Sequence, residues 1–454
     1  MLLNKIIQRD YTSFSPYYQI KLSLDLEISI PSDDPVRLVS AFVEEMDLSE
    51  LYKTYGRIRK HQATPRQMLK LVIYAAMNRI YSSRDIKKAC KRDINFMYLL
   101  EGMPAPDHAT IARFISLHFS ACAKALLAQM SDLLYLIGEI SGKTIFIDGT
   151  KIESAANKYT FVWKRAITKN QARLYTKLSS FVAECEELYG IKMVYHDRIS
   201  IHTLKRLKKQ LCRIKVREGI VFVHGIGRRK TQLQKSLEQL DQYLEKLKEY
   251  TKKLYTLGDR NSYSKTDPDA TFMRMKEDAM LNGQLKPAYN IQHGVDSEYI
   301  TWLDISSHPT DTCTLIPFLK DMDRYLGFKY SEIVADAGYE SEENYLFIEK
   351  NGQTAYIKPQ NYEISKTRKY KKDISRRENM EYHADSDSYI CRNGRELIAT
   401  NERRSKTVSG YVSIKTYYRS PDCTGCPYKT DCIKGNNCKT PMEKRNKVLM
   451  FQRR

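Results

Sequence analysis

A mixed α/β protein is predicted, with an all-helical N-terminal region, a helical insertion and a small cysteine-rich module towards its end. Three observations carry this. Apolar residues recur at helical spacing through residues 1–135. Short β-rich runs then alternate with helical stretches: TIFID (144–148), PAYNIQHGV (287–295), EYITWLDIS (298–306), SEIVAD (331–336) and TAYIKP (354–359). Five of the ten cysteines fall after residue 390. A chain of 454 residues has room for about two to four domains. Apolar residues at 42% and charged residues at 28% exclude a disordered or fibrous chain. No apolar run approaches the ~18 residues of a membrane-spanning helix, and MLLNKIIQRD is too short in apolar residues for a secretory signal.

The elements follow in order. Leu38, Phe42, Met46 and Leu48 mark a first amphipathic stretch. Thr64 and Pro65 supply an N-cap and a first-position proline for a second, RQMLKLVIYAAMNRIYSS. A third runs through RDIKKACKRDINFMYLL, and a fourth follows Pro106-Asp107 to about residue 140. With Gly102-Met103-Pro104 as a loop, these helices suit a DNA-binding helix-turn-helix or a plain bundle equally. Residues 204–217, LKRLKKQLCRIKVR, hold seven basic side chains and no acid on an apolar seam of Leu204, Leu207, Leu211 and Ile214. Leu233, Leu237, Leu240, Leu244, Leu247 and Leu254 form a heptad seam. Gly225 and Gly227 lie between, so an antiparallel helical hairpin is expected. Beyond it a β-hairpin turns at Asp296-Ser297, a helix spans 310–325 with Thr310 or Asp311 as cap, and a further helix lies near 341–350. Strand, long insertion, hairpin, helix, strand, helix, strand is the element order of an RNase H-like fold.

Charge is segregated. Lys+Arg 75 against Asp+Glu 54 leaves +21, which favours a polyanionic partner such as nucleic acid. Residues 161–260 hold 23 basic and 10 acidic side chains, and residues 358–454 hold 23 and 11. Between them, residues 261–357 hold 8 basic and 16 acidic side chains. The pattern suits a protein that grips phosphates with its arms and holds cations in its middle.

Asp148 in FIDGT and Asp336 in VADAGY end two buried-type strands. Open α/β sheets place function at carboxyl strand ends. Two neighbouring carboxylates need a cation between them. Mg²⁺ or Mn²⁺ suits, because a small hard cation takes one or two protein carboxylates and completes its shell with water and phosphate oxygens. A paired-metal site would serve in-line displacement at phosphorus.

These blocks carry a resemblance. IDGTKIESAANKYTFVWKR (147–165) resembles the first-aspartate block of the DDE insertion-sequence transposases, and VADAGYESEENY (334–345) their second. SKTDPDATFMRMK, KPAYNIQHGVD and SSHPTDT resemble the blocks between, and PDHATIARF (106–114) the end of their N-terminal helical domain. The resemblance implies an RNase H-like catalytic core, two divalent ions with Asp148 and Asp336 as first and second ligands, and cleavage and joining of DNA at transposon ends. It also implies a third carboxylate in a Tyr-x₂-Arg-x₃-Glu-x₆-Lys setting. No window of residues 358–454 matches that setting. The sequence is therefore read as a chain lacking its final segment, weak or inactive in catalysis alone. Glu340, Glu342 and Glu343 are read as surface residues of the following helix.

Cys423, Cys426, Cys432 and Cys438 follow a C-x₂-C-x₅-C-x₅-C spacing, with Cys391 upstream. Clustered thiolates suit tetrahedral Zn²⁺, and a cytoplasmic, DNA-handling protein is not expected to hold disulfides. By spacing alone Cys438 is the fourth ligand. By resemblance to the transposase cysteine block, Cys391, Cys423, Cys426 and Cys432 are the set. The remaining Cys90, Cys122, Cys185, Cys212 and Cys313 are assigned to core faces. Among the histidines of motif-like segments, His308 is preferred over His108 and His293. Trp163 serves the core or base stacking, and Tyr339 stacks on a flipped base or packs beneath the site.

The expected organisation is a DNA-binding helical domain over 1–135, a catalytic core from 140–160 and 261–357, a basic helical-hairpin insertion over 161–260, and a basic cysteine-rich region over 358–454. Lys151, Lys205, Arg206, Lys208, Lys209, Arg213, Lys369, Lys371 and Lys372 are the expected phosphate contacts, which makes binding steeply salt-dependent. The partners expected are double-stranded DNA and, in the working complex, a second copy of the chain, with no membrane. The alternatives are a non-catalytic DNA-end-binding fragment that inhibits the complete transposase, or a repair-type nuclease on the same fold.

Overall fold

The computed structural model describes residues 30–57, 60–195, 198–225, 227–275, 283–407, 409–435 and 438–452. The N-terminal stretch read for a signal and Lys276, at the end of one motif block, lie outside the described residues. The chain divides into two units. One holds the residues up to Gly142 with Asp296–Trp302 and Asp321–Lys329, and the other holds the remainder.

The described part of the first unit is mainly helical: α1 (Pro35–Glu45), α2 (Ser49–Lys53), α3 (Pro65–Met77), α4 (Ser83–Ala89), α5 (Ile94–Leu100), α6 (His108–Arg113) and α7 (Ser120–Leu136). Local chemistry sets several starts. Thr64 and Gln67 form a reciprocal capping box on α3. Asp34, Asp93 and Asp107 cap α1, α5 and α6 with their carboxylates. The single helix read over RDIKKACKRDINFMYLL is two, because Asp93 starts a new one. The phase read for α1 also differs: Val36, Val39 and Val43 face the core, whereas Leu38 is exposed and lines an apolar groove with Phe42, Met77 and Met130. Lys70 on α3 is buried yet paired, its Nζ 2.5 Å from Glu44 and 2.8 Å from Glu101. A π-helical turn, Phe114–Phe119, joins α6 to α7. The joined helix His108–Leu136 is long and apolar enough to cross a membrane, which the count of consecutive apolar residues missed. Its Ile111, Phe114, Cys122 and Leu126 nevertheless belong to the core cluster of this unit.

The second unit is built on β1 (Thr144–Glu153). Between β1 and the rest of its sheet lie β2 (Phe161–Trp163), α8 (Lys164–Tyr189), α9 (Ile201–Arg217), α10 (Gln232–Leu257) and β3 (Ser262–Ser264). The insertion thus holds three long helices where the sequence suggested two. α8 went unread because its buried Leu174, Leu178, Val182 and Cys185 are diluted by charged neighbours. Leu233, Leu237, Leu240, Leu244 and Leu247 of α10 pack with Leu204, Leu207 and Leu211 of α9 and with Leu174 and Leu178 of α8 in one cluster, while Leu254 and Leu257 pack in a second with Val162, Ile167 and Tyr263.

The main sheet continues with β4 (Thr271–Arg274), β5 (Leu285–Asp296), β6 (Tyr299–Ser306), β7 (Glu332–Ala335) and β8 (Thr354–Ile357), in the order β4-β5-β1-β7-β8 with β6 also on β5. β5 and β6 are hairpin neighbours, and Ser297 takes the positive φ of 56° that the turn requires. β1 runs antiparallel to β5 from Phe146↔Val295 to Glu153↔Ala288. It runs parallel to β7 from Thr144↔Glu332 to Ile147↔Ala335, and β7 runs parallel to β8. After β6 come a 3₁₀ turn (Asp311–Cys313) and α11 (Leu315–Tyr325). After β7 come a 3₁₀ turn (Ala337–Tyr339) and α12 (Glu342–Lys350), capped by Ser341. The remaining chain includes a five-stranded antiparallel sheet: β9 (Glu381–His383), β10 (Ser388–Ile390), β11 (Glu396–Lys406), β12 (Val412–Arg419) and β13 (Val448–Gln452).

Candidate acidic site and cysteine cluster

Asp148 is not at a strand end, as the sequence suggested. β1 runs on to Glu153 against β5, and it is the parallel pairing with β7 that stops at Ile147↔Ala335. Asp148 and Asp336 are therefore the next residues on two adjacent parallel strands, and both are exposed. Asp148 Oδ1 accepts from Gly149 N and Asp336 Oδ1 from Gly338 N, each at 2.8 Å.

A third carboxylate lies beside them. Asp311 is half-buried in the turn before α11, and its Oδ1 accepts from Asn290 Nδ2 at 2.8 Å and from Gln292 Nε2 at 3.4 Å. The Tyr339 hydroxyl donates to Gln292 Oε1. Tyr339 is fully buried, so it packs beneath the site and is closed to base stacking. Burial raises its pKa, and the charges of Asp311, Asp148 and Asp336 push the same way. Asn344 Nδ2 donates to Tyr339 O at 2.7 Å and to Thr312 O at 3.2 Å, which ties the two turns together.

The motif glycines now have a reason. A Cβ on Gly149 would lie 2.7 Å from Gln292 Nε2, 2.9 Å from Asp311 Oδ1 and 3.1 Å from the Tyr339 hydroxyl. A Cβ on Gly338 would lie 3.0 Å from Asp336 Oδ1 and 3.1 Å from Asp311 Oδ2. Both glycines make room for Asp311.

The other expected residues fall as follows. Lys151 Nζ donates to Arg274 O at 3.3 Å. Lys205, Arg206, Lys209 and Arg213 are exposed on α9, while Lys208 pairs with Asp241 at 2.5 Å. Lys369, Lys371 and Lys372 are exposed. Backbone pairing sets His293 opposite Asp148, and His308 O accepts from Asn290 Nδ2 at 3.2 Å. His108 is half-buried beside Asp107, with 3.2 Å between Nδ1 and Oδ1. Trp163 packs by its ring near Phe161 and Phe272. Glu340 accepts from Gln360 N and Glu343 from Ser409 Oγ.

All ten cysteines are free thiols. Cys313 is exposed, against its core assignment, because the 3₁₀ turn points it outward. In the C-terminal region, burial raises the Cys432 thiol; Lys447 opposes this and Cys391, Cys423 and Cys426 reinforce it. Cys423 Sγ accepts from Lys447 N at 3.3 Å, and Lys447 Nζ donates to Cys432 O at 2.9 Å. Cys438 is exposed, with Thr440 and Arg445 as its neighbours. Among the described residues, no three of His, Cys, Asp and Glu form a ready-made metal cage.

Asn290, Gln292 and Asp311 escaped the sequence reading. The signal was there for the amides: residues 288, 290, 292, 294 and 296 share the buried face of β5, and an inward Asn or Gln needs a polar partner. Asp311 looks like any helix cap.

Fold and site define a class: a mixed α/β sheet with aspartates at the carboxyl side of two adjacent parallel strands. Two family models narrow it. A transposase domain (DUF772) matches residues 24–117, and a transposase DDE domain matches residues 260–420, spanning Asp311 and Asp336 but beginning after Asp148. The chain belongs to the insertion-sequence transposases of the DDE type. That membership implies transposition and recombination as its business, DNA as substrate and a general dependence on divalent cations. No curated protein and no solved structure matches the chain.

Proposed function

We propose that this chain binds transposon-end DNA and carries out cation-dependent cleavage and strand transfer at Asp148 and Asp336, on a sheet of RNase H-like order. The observation that carries this is the register of β1 and β7, which sets the two aspartates side by side although they are far apart in sequence. The donor set fits Mg²⁺ or Mn²⁺: carboxylate oxygens, exposed, with backbone N–H groups as their present partners. A bound cation would supply charge stabilisation to the pentavalent phosphorus. Asp148 and Asp336 would hold it. Exposed bases on α9 and at Lys369, Lys371 and Lys372 would hold phosphates, and Cys391, Cys423, Cys426 and Cys432 would hold a structural Zn²⁺. The acceptor is water, then a DNA 3′-hydroxyl, so one P–O bond forms as another breaks and no covalent protein intermediate is needed.

A second reading, end binding without catalysis, draws on the absence of the late Tyr/Arg/Glu setting from residues 358–454. One experiment separates the two. The full chain is incubated with end DNA and Mg²⁺ or Mn²⁺, and cleavage and gel-shift binding are both followed. Asp148→Asn or Asp336→Asn is expected to lower cleavage at least ~1,000-fold, or about 4 kcal/mol, with end binding kept. Cleavage that survives both changes overturns the assignment. End binding without cleavage by the unaltered chain supports the second reading.

A further inference from the structure

The two motif glycines point to a residue outside both motifs. Gly149 on β1 and Gly338 in the 3₁₀ turn after β7 flank Asp311, and a side chain on either would meet its carboxylate. Asp311 Oδ2 and Asp336 Oδ1 each lie about 3 Å from the same point above Gly338. In a chain with 75 basic side chains, no Lys, Arg or His among the described residues forms an ion pair with Asp148, Asp311 or Asp336. Every hydrogen bond given to Asp311's carboxylate comes from a neutral amide, Asn290 or Gln292. Like charges gathered without a counter-charge call for an external cation.

A second observation points the same way. Asn290 is wholly buried and aims its amide at Asp311, yet its Oδ1 has no hydrogen-bond partner. A buried polar atom left unmatched is costly, and an oxygen beside a carboxylate suits a hydrated cation.

We propose that Asp311 is a third carboxylate of the divalent-cation site, acting with Asp148 and Asp336. This rests on the function proposed above. The three do not yet form a cage: Asp148 and Asp336 are turned onto the N–H groups of Gly149 and Gly338. Asp311 differs in being pinned from below, with Oδ1 held by two amides and Oδ2 towards Asp336. It is the preorganised member, and the other two carboxylates turn to join it.

The test is Mn²⁺ binding to the full chain without DNA, by calorimetry and by the electron paramagnetic resonance of free Mn²⁺. Asp311→Asn is expected to weaken binding at least tenfold, as are Asp148→Asn and Asp336→Asn, while Asp321→Asn, whose carboxylate pairs with Lys124, leaves it unchanged. If Asp148→Asn and Asp336→Asn lose binding but Asp311→Asn does not, the Asp311 proposal falls and the two-aspartate site stands. If all three bind Mn²⁺ like the unaltered chain, the site itself is misplaced and both readings fall. Should Asp311→Asn fail to fold, Asp311→Glu decides. A ligand moved by one methylene weakens Mn²⁺ binding severalfold, whereas a purely structural acceptor leaves it unchanged.

Discussion

The carboxylates beside Gly149 and Gly338 and the thiols around Cys432 are both gatherings of like groups, and the fold treats them oppositely. Beneath the thiols it supplies its own cation. Lys447 is buried, donates 2.6 Å to Ser375 O and 2.9 Å to Cys432 O, and has its pKa lowered by that burial. Beneath the carboxylates it supplies only neutral donors, Asn290, Gln292 and, through Gln292, Tyr339. Around Cys432 a charged group of the fold is already in place. Around Asp311 the described donors carry no charge, so the acids there have no ion-pair partner of their own.

The largest expected effect would break this contrast. If the thiols hold Zn²⁺, a strong chelator should remove one zinc per chain, measured by elemental analysis, and unfold the C-terminal sheet; structural zinc is worth on the order of 10 kcal/mol in small metal-folded modules. Cys432→Ser should lose that zinc and Cys438→Ser should keep it. Zinc retained by Cys432→Ser would remove Cys432 from the set.

A smaller effect sharpens the contrast on the acidic side. Gly149→Ala should destabilise the protein by about 1–3 kcal/mol in urea denaturation, because an added Cβ meets three packed polar atoms. Gly338→Ala should cost less, since its nearest atom is 3.0 Å away rather than 2.7 Å. Gly56→Ala, with open space around it, is the neutral comparison. Equal midpoints for Gly149→Ala and Gly56→Ala would mean that the floor yields freely.

The smallest effect concerns Lys447. Lys447→Met strands two carbonyls and should cost about 1 kcal/mol, read as a lowered urea midpoint at constant slope. No change would show that the ammonium is dispensable once the thiols are bound.

Much of the fold was legible. The N-cap at Thr64, the leucine seam of α10 and the strand–helix alternation after residue 287 all follow from local chemistry that a reader of one sequence can apply. What was misread had mixed signals. Helix α8 buries few residues over a long charged stretch, and on α1 three valines rather than Leu38 and Phe42 define the core face. Asp148 and Asp336 were visible because an acid after a run of apolar β-formers is conspicuous.

The sequence by itself determined that an aspartate closes each of two short apolar runs, that cysteines concentrate late in the chain and that basic segments flank an acidic middle, since residue type and spacing carry those facts. Only the tertiary structure decided which groups meet. Strand register set Asp148 beside Asp336, the buried face of β5 brought Asn290 and Gln292 beneath Asp311, and the approach of Lys447 put its backbone N–H on Cys423 and its ammonium on Cys432 O. A helix-capping aspartate and a cation-seeking one look alike in sequence. Their difference lies in neighbours that arrive from other strands.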